Sequence, residues 1–326
     1  MKPWQTTLAA LSTAVACAWS GAAAAQSWPT KPVTIIVPTS SSSGSDIIAR
    51  AMSPRLSQMW KQSVVVDNRV GASGSIGLTA AARAAPDGYT LVFAPNTITM
   101  LGSLYKNLAW DAEQSFDPIA LLAYTTLAFA VNADVPAKTV HEFIAYAKAR
   151  PGQLNYATPG VGTPQHLAAE LFKQEAGVDI AHVPYKTLAG AIVDLAGGRA
   201  QMSLLGLSSV MPMVKAGKVR ILATHGATRS PSSPDVPTFK EIGLEKMSAE
   251  SYLVAMMPRN TVKEAADRIT RDILAVMAQP DYQQELVKAD LVPNNPAGGP
   301  RELANVIKTD VAHWRRVVQV GNIQGE

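Results

Sequence analysis

The sequence predicts two α/β lobes, each built on a mainly parallel sheet covered by helices. Three observations carry that expectation. At 326 residues the chain is longer than one compact core usually serves, which favours two domains. From Trp28 onward, short β-branched runs alternate with longer amphipathic stretches, the pattern of strands joined by crossover helices. Apolar residues make up 47% and charged residues 17%, a globular balance that can fill sizeable cores.

In chain order, Val33–Val37 reads as a buried strand. Ile48, Met52, Leu56 and Met59 then recur at helical spacing, and Pro54 inside that stretch predicts a kink or a restart. Val64–Val66 is a second strand, followed by a glycine-rich loop, a short alanine-rich helix and a turn at Pro86–Gly88; Thr90–Ala94 is a third strand. The middle of the chain offers strands at Ala120–Val131, Asn155–Thr158, Ile180–Val183, Gln201–Leu205 and Val219–Thr224, with helices such as Thr139–Ala149 and Pro164–Ala176 between them. Arg229–Phe239 (RSPSSPDVPTF) reads as a rigid extended excursion without a core pattern of its own. The end is helical over Val262–Ala278, Tyr282–Lys288 and Arg301–Val320. The expected division is 26–130 with 226–326 as the first lobe and 131–225 as the second, the chain crossing near 130 and returning near 225.

The N-terminal 25 residues have one early lysine, an apolar stretch from Leu8 to Trp19 and small residues at Ala23–Ala25. That is the plan of a cleaved secretory signal and is shorter than a membrane anchor. The single cysteine, Cys17, falls inside it, and AVAC lacks the leucine expected three positions before a lipidated cysteine. Cleavage after Ala25 leaves a chain without thiol chemistry, exported to the periplasm. Net charge is +4 at pH 7, with lysines and arginines scattered and only six Trp, eight Tyr and six Phe. A nucleic-acid surface needs a basic stripe interleaved with aromatics, and no such stripe is visible.

Catalytic and metal signatures are equally thin. The histidines at 141, 166, 182, 225 and 313 form no HExxH and no pair at metal-ligand spacing. There is no GxSxG elbow, P-loop or dinucleotide fingerprint, and SLYK (Ser103–Lys106) matches the SxxK string with no partner motif. GASGSIG (Gly71–Gly77) is better read as a tight loop that lets the backbone approach something closely.

What remains are loops at the C-terminal ends of strands, where open α/β sheets bind their ligands. Pro38–Asp46 (PTSSSSGSD) joins a buried strand to an amphipathic helix, so its hydroxyls and the N–H groups at the helix start suit an anion. Thr39, Ser41, Ser42 and Ser43 are the candidate ligands there, and Asp46 reads either as the helix cap or as a ligand contact. Ala94–Thr99 offers Asn96, Thr97 and Thr99. Ala157–His166 offers Gly160, Val161, Gly162 and Thr163 ahead of a helix that starts at Pro164, with His166 in its first turn, either meeting the ligand or packing locally. Two helix N-termini facing each other across a cleft would suit a ligand with an anionic group at one or both ends.

At these loops the chain resembles a known family. WPTKPVTIIVP, VVVDNRVGASGSIG, AAPDGYTLVFA, KARPGQLNYATPG, HVPYK, DLAGGRAQM, KAGKVRILA and RSPSSPDVPTFKEIG, spread over nearly the whole mature chain, are similar to the Bug-type periplasmic solute receptors of tripartite tricarboxylate transporters. The resemblance implies a two-lobed periplasmic binding protein fold with the ligand in the interlobe cleft. It also implies no cofactor, no catalysis and a separate membrane carrier that accepts the solute; no metal is expected, and the protein is expected to be a monomer. The family's first binding loop falls on Thr39–Asp46, where serines 40–43 replace its usual prolines and glycines. Its second falls on Ala94–Thr99, where Asn96 matches and Thr99 replaces a frequent histidine. Its third falls on Gly160–His166, and HVPYK places Tyr185 at the cleft. Where the family commonly has an aspartate after a bulky apolar residue, this chain has Leu205 after Leu204, which argues against amino-acid ligands.

The resulting expectation is a receptor for a small organic carboxylate. Serines 41–43 and Gly160–Thr163 hold its ends, and Phe93, Tyr185, Leu204 and Leu205 line an apolar middle. Such a lining favours an aromatic acid of the benzoate or terephthalate type, with an aliphatic di- or tricarboxylate as the alternative. A ligand-presenting sensor partner and a secreted serine esterase using a loop serine are the other readings.

Overall fold

The computed structural model describes residues 28–226, 228–247, 251–321 and 323; the expected signal segment 1–25 with Cys17 lies outside the described residues. The strands in chain order are β1 (Val33–Val37), β2 (Val64–Asn68), β3 (Thr90–Pro95), β4 (Phe116–Thr125), β5 (Leu127–Asn132), β6 (Asn155–Thr158), β7 (Ala181–Pro184), β8 (Met202–Gly206), β9 (Val219–Thr224), β10 (Ser251–Pro258) and β11 (Leu291–Pro293). The helices are α1 (Gly44–Trp60), α2 (Ser75–Ala82), α3 (Thr97–Leu104), α4 (Val140–Lys148), α5 (Pro164–Ala176), α6 (Leu188–Ala196), α7 (Leu207–Lys215), α8 (Lys263–Met277), α9 (Pro280–Lys288) and α10 (Gly299–Val320).

Two sheets result, ordered β11-β4-β10-β3-β1-β2 and β7-β6-β8-β5-β9. The expected α/β architecture of two lobes is what the chain adopts, but the sheets are mixed where mainly parallel ones were expected, because β4, β5, β10 and β11 join them through antiparallel pairs. In the first sheet β1 runs parallel to β2 and β3, while β10 lies antiparallel between β3 and β4. In the second, β6 is parallel to β7 and β8, and β5 is antiparallel to β8 and β9.

The passage between lobes differs from the expectation. The apolar run Ala120–Val131 is two strands, broken at Thr126, where the backbone leaves the first sheet for the second. Thr126 pairs with neither sheet's ladder; its carbonyl instead accepts the Leu207 N–H at 2.9 Å. The return also comes later than residue 226. Thr224 bridges Thr238, and Phe239 is fully buried, edge-on to Phe129 of β5 with ring centroids 5.9 Å apart. The proline-rich excursion is therefore fastened to the second sheet, and the chain re-enters the first with β10. Sequence periodicity missed β10 because all eight of its residues are buried, leaving no alternation to read.

Helix α1 runs through Pro54 without a break. Ile48, Met52 and Leu56 are fully buried against the first sheet. At about 1.5–3 kcal/mol per buried side chain, their burial outweighs the roughly 3 kcal/mol cost of an internal proline. Met59, expected on the same stripe, is exposed, and Trp60 takes the inward position with its Nε1–H donated to Asp272 at 2.8 Å. On the opposite face of the first sheet a single apolar core continues into the second lobe. It joins Val92 and Leu101 to Phe129, Phe143, Phe172 and Trp314. Helix α10 fastens both lobes along this face, and Gln174 of α5 donates to the Val317 carbonyl at 3.0 Å.

Gly77 packs face-on to the chain entering the serine loop: a Cβ there would lie 2.7 Å from the Arg69 carbonyl oxygen and 2.9 Å from Pro38 Cα. Both are backbone atoms that cannot swing aside. Gly77→Ala is expected to lower stability by about 1–3 kcal/mol in chemical denaturation; an unchanged midpoint would show that the Pro38 contact is not tight.

A candidate ligand cleft

The serine loop spans the gap between β1 and α1. Ser43, in extended conformation, is the N-cap of α1: its Oγ accepts the Asp46 N–H at 3.4 Å and shares a 2.6 Å hydrogen bond with Thr39 Oγ1. The alternative in which Asp46 caps the helix is thus corrected by three positions. Asp46 sits in the first turn, its buried carboxylate accepting from the Ser42 N–H at 2.8 Å, Asn68 Nδ2 at 2.9 Å and Arg50 Nε at 3.0 Å. Asn68 Nδ2 also reaches the Thr39 carbonyl at 3.1 Å. Burial pushes the Asp46 carboxyl up, but the hydrogen bonds from Arg50, Ser42 and Asn68 outweigh it and hold the group below its ordinary 3.8. An ionised Asp46 faces Arg50, so the loop carries no unbalanced negative charge toward a ligand.

This network fixes the serines. Ser42 adopts φ 65°, a left-handed conformation that non-glycine residues rarely take, with its N–H tied to Asp46. Ser40, Ser41 and Ser42 are exposed, while Thr39 and Ser43 are half-buried and engaged with each other. In the first turn of α1, Ser45 Oγ is buried without a hydrogen-bond partner. Helix starts leave their first N–H groups without intrahelical acceptors, so donors and hydroxyls are concentrated here.

The glycine loop supplies the link to the second lobe. Gly77 lies on Pro38, as above, and Ser73 Oγ donates to the Val161 carbonyl at 2.5 Å. The backbone that approaches closely is thus the serine loop on one side and the 160–163 loop on the other. Gly162 (φ 77°) is packed against α3, where a Cβ would meet Leu104 Cδ1 at 3.0 Å and Leu101 Cδ2 at 3.1 Å. Thr163 caps α5, accepting the His166 N–H at 3.3 Å and donating to the Gly160 carbonyl at 2.8 Å.

His166 packs inside the second lobe. It is buried, its Nδ1 accepts the Gly162 N–H at 3.1 Å, and its ring stacks on His182 with centroids 4.2 Å apart. His182 Nε2 in turn hydrogen-bonds Thr158 Oγ1 at 2.6 Å. Burial, reinforced by Lys173, lowers His166 to about 4; burial and the neighbouring His166 lower His182 to about 3. Both rings are neutral near pH 7, and the local-packing alternative holds for His166. A serine–histidine–acid relay is not assembled by these bonds, which run to Gly162 and Thr158 and not to a loop serine.

Other expected residues sit elsewhere. Asn96 and Thr97 are buried at the start of α3, the Asn96 N–H donating to the Tyr252 carbonyl at 2.9 Å. Thr99 Oγ1 donates to Asp310 of α10 at 2.5 Å, and Tyr252 OH donates to the same carboxylate at 2.6 Å, so Thr99 anchors the C-terminal helix. Tyr185, by contrast, lies beside the Gly160 loop, its carbonyl oxygen 3.7 Å from where a Gly160 Cβ would be; it is half-buried, with its hydroxyl donated to Asp194. Phe93, Leu204 and Leu205 do not line a cleft. Phe93 is fully buried in the α1 face of the first sheet; Leu204 and Leu205, adjacent on β8, point into different cores on opposite faces of the second. Strand alternation excludes a shared apolar floor made of neighbours.

A cavity of about 330 Å³ at the lobe crossings went unrecognised in the sequence. It is lined by Tyr124, Thr125, Thr126, His225, Gly226, Thr228, Ser251 and Val292. The signal that marks it is polar residues at strand breaks: YTT before β5 and THG after β9.

Comparison with known proteins agrees with the two-lobed fold. A family model described as tripartite tricarboxylate transporter family receptor matches residues 48–323. A UPF0065 protein of Bordetella bronchiseptica is 33% identical over 304 residues, 93% of this chain and 89% of that protein. Among solved structures, one described as a periplasmic transporter superposes with a TM-score of 0.82 at 33% identity, covering 92% of this chain and all of the other. R. palustris Rpa4515, solved with adipate, superposes with a TM-score of 0.82 at 32% identity, covering 91% and 99%.

The histidine stack gives a pH signature. An unfolded histidine takes up its proton near 6.5, whereas folded His166 stays neutral down to about 4. Between those values the unfolded chain binds more protons, so stability is full above 6.5 and declines as the pH falls. The melting temperature is expected to drop between about pH 7 and about pH 4.5, and more shallowly in His166→Gln, whose amide oxygen still accepts the Gly162 N–H. An identical slope in the variant would contradict the neutral, buried assignment of His166.

Proposed function

Because this chain belongs to the tripartite tricarboxylate transporter receptor family, we propose that it captures a small organic carboxylate between its lobes and passes it to the membrane components of such a transporter. The observation that carries this reading is the serine loop: exposed hydroxyls of Ser41 and Ser42 stand at the N-terminus of α1, and the one acid in the loop is neutralised by Arg50. Charge-assisted hydrogen bonds from hydroxyls and helix-start N–H groups hold a carboxylate without the desolvation cost of burying a cation beside it. The partnerless Ser45 hydroxyl in the same turn supports a ligand there, since buried polar groups are almost always paired. The Ser73–Val161 contact, which ties the glycine loop to Gly160–Thr163, supports that loop as the second contact for the ligand.

Of the two ligand types open from the sequence, the aliphatic one is favoured. The aromatic preference, terephthalate included, needs an apolar lining of Phe93, Tyr185, Leu204 and Leu205, and all of these but the half-buried Tyr185 are enclosed in cores. Neutral donors at separated loops suit a flexible dicarboxylate, and the relative solved with adipate carries that chemistry. Residues 1–25 are proposed to direct export to the periplasm, where the mature protein acts as a monomer.

Calorimetric titration with adipate is the test. Ser41→Ala and Ser42→Ala are expected each to weaken binding by about tenfold, roughly 1.4 kcal/mol, with the unliganded melting temperature unchanged. Ser43→Ala should instead lower stability by about 0.5–2 kcal/mol, because that hydroxyl caps the helix. Full affinity in both the Ser41 and Ser42 variants would remove the serine loop from the site.

A further inference from the structure

We propose that the solvent face of α10 docks an acidic helical segment of the membrane carrier; this rests on the receptor reading above and names the surface that serves it. Arg301, Lys308 and Arg315 recur at every seventh position, about two turns apart, so they stand in one line along the helix, with Arg316 beside the last. All four are exposed, and the line from Arg301 to Arg315 is about 21 Å long. The opposite face is the one that packs: Leu303, Ile307, Trp314, Val317 and Val318 are buried in the core shared by the lobes. Cations that look scattered in the sequence are gathered by the helix into a stripe.

No acid on the helix balances them. Glu302 accepts from Asn294 Nδ2 at 3.0 Å, and Asp310 accepts from Thr99 and Tyr252 on the packed side. Among the described residues, every arginine outside α10 except Arg83 is held in an ion pair or donates to a backbone carbonyl, whereas Arg301, Arg315 and Arg316 do neither. Helix stability does not account for the pattern either. Arg301 lies in the first turn, where a cation opposes the helix dipole, and the last turn, where a cation would help, has none. Between the cations the exposed positions are small or polar, Ala304, Asn305 and Ala312, so a partner can approach the charged groups closely.

The chemistry of the stripe selects a carboxylate-bearing protein. Three of the four cations are arginines, whose planar fork pairs with both oxygens of a carboxylate. A helix with an acid at every seventh position presents carboxylates at the same interval of about 10 Å and can lie along the stripe. A lipid surface is the poorer fit. The large apolar residues of α10 face the core, and only Val320 is prominent on the outside, which leaves little to insert among acyl chains.

The test sets uptake against binding. In cells whose receptor is replaced by the triple variant Arg301→Gln, Lys308→Gln and Arg315→Gln, uptake of labelled adipate at limiting concentration is expected to fall about tenfold. The purified variant should keep the adipate affinity and melting temperature of wild type, since all three side chains are exposed and glutamine is a good helix former. A control with Lys138→Gln, Lys148→Gln and Lys240→Gln removes the same charge from exposed positions elsewhere and should transport normally. Undiminished uptake in the α10 variant, or an equal fall in the control, would overturn the docking surface and leave the receptor reading standing. Wild type that binds carrier-free vesicles of equimolar phosphatidylglycerol and phosphatidylethanolamine, with the α10 variant released, would give the stripe to lipid and overturn the protein partner. Wild type that binds adipate in solution but supports no uptake would overturn the delivery reading and this inference together.

Discussion

The buried carboxylate of Asp46 is the fixed point on which the candidate site depends. It holds the Ser42 N–H, Asn68 and Arg50 at once, and Asn68 passes the constraint to the Thr39 carbonyl. The contributions are unequal. Arg50 is more than half exposed, so its ion pair is screened and worth little by itself, about 0–1 kcal/mol. The Ser42 and Asn68 bonds are part-buried, and losing their acceptor would cost about 0.5–1.5 kcal/mol each. Arg50 matters more for charge balance: it keeps an acid inside an anion-binding loop from repelling its ligand. The left-handed Ser42 is the visible cost of this arrangement, sustained because its N–H is held.

A second constraint joins the loops. Two closely packed glycines, Gly77 on the Pro38 backbone and Gly162 on leucines of α3, bring the 71–77 loop and the 160–163 loop against their neighbours. Ser73 closes the gap to Val161. The two lobes also share one apolar core on the α3, α5 and α10 face. The strand ends that carry the polar loops therefore meet along a junction whose geometry is set by packing, with the outward crossing at Thr126 next to the return at Ser251, which pairs with Thr125.

Much of this was legible in the sequence. Val33–Val37, Asn155–Thr158, Val219–Thr224 and Pro164–Ala176 could be read to the residue, because each is bounded by turn or capping residues. Gly71–Gly77 was readable as a close backbone approach, though not as an approach to Pro38. The break at Thr126 was hidden inside an apolar run that serves two sheets, and β10 was hidden because both its faces are covered. Phe93, Leu204 and Leu205 misled for the same reason: at strand ends beside a cleft, an apolar residue and a core residue look alike until the sheet's two faces are known to be packed. The cap fell to Ser43 and not to Asp46 because a run of four serines offers several competing starts, and only tertiary partners such as Asn68 choose among them.

A crystal structure of the mature protein with adipate bound tests the serine-loop assignment most directly. One carboxylate is expected with its oxygens about 2.7–3.2 Å from the Ser41 or Ser42 hydroxyls and from the N–H groups that open α1, with Arg50 still on Asp46. A carboxylate paired instead to Arg50 or to another cation, with the serines left in solvent, would contradict it.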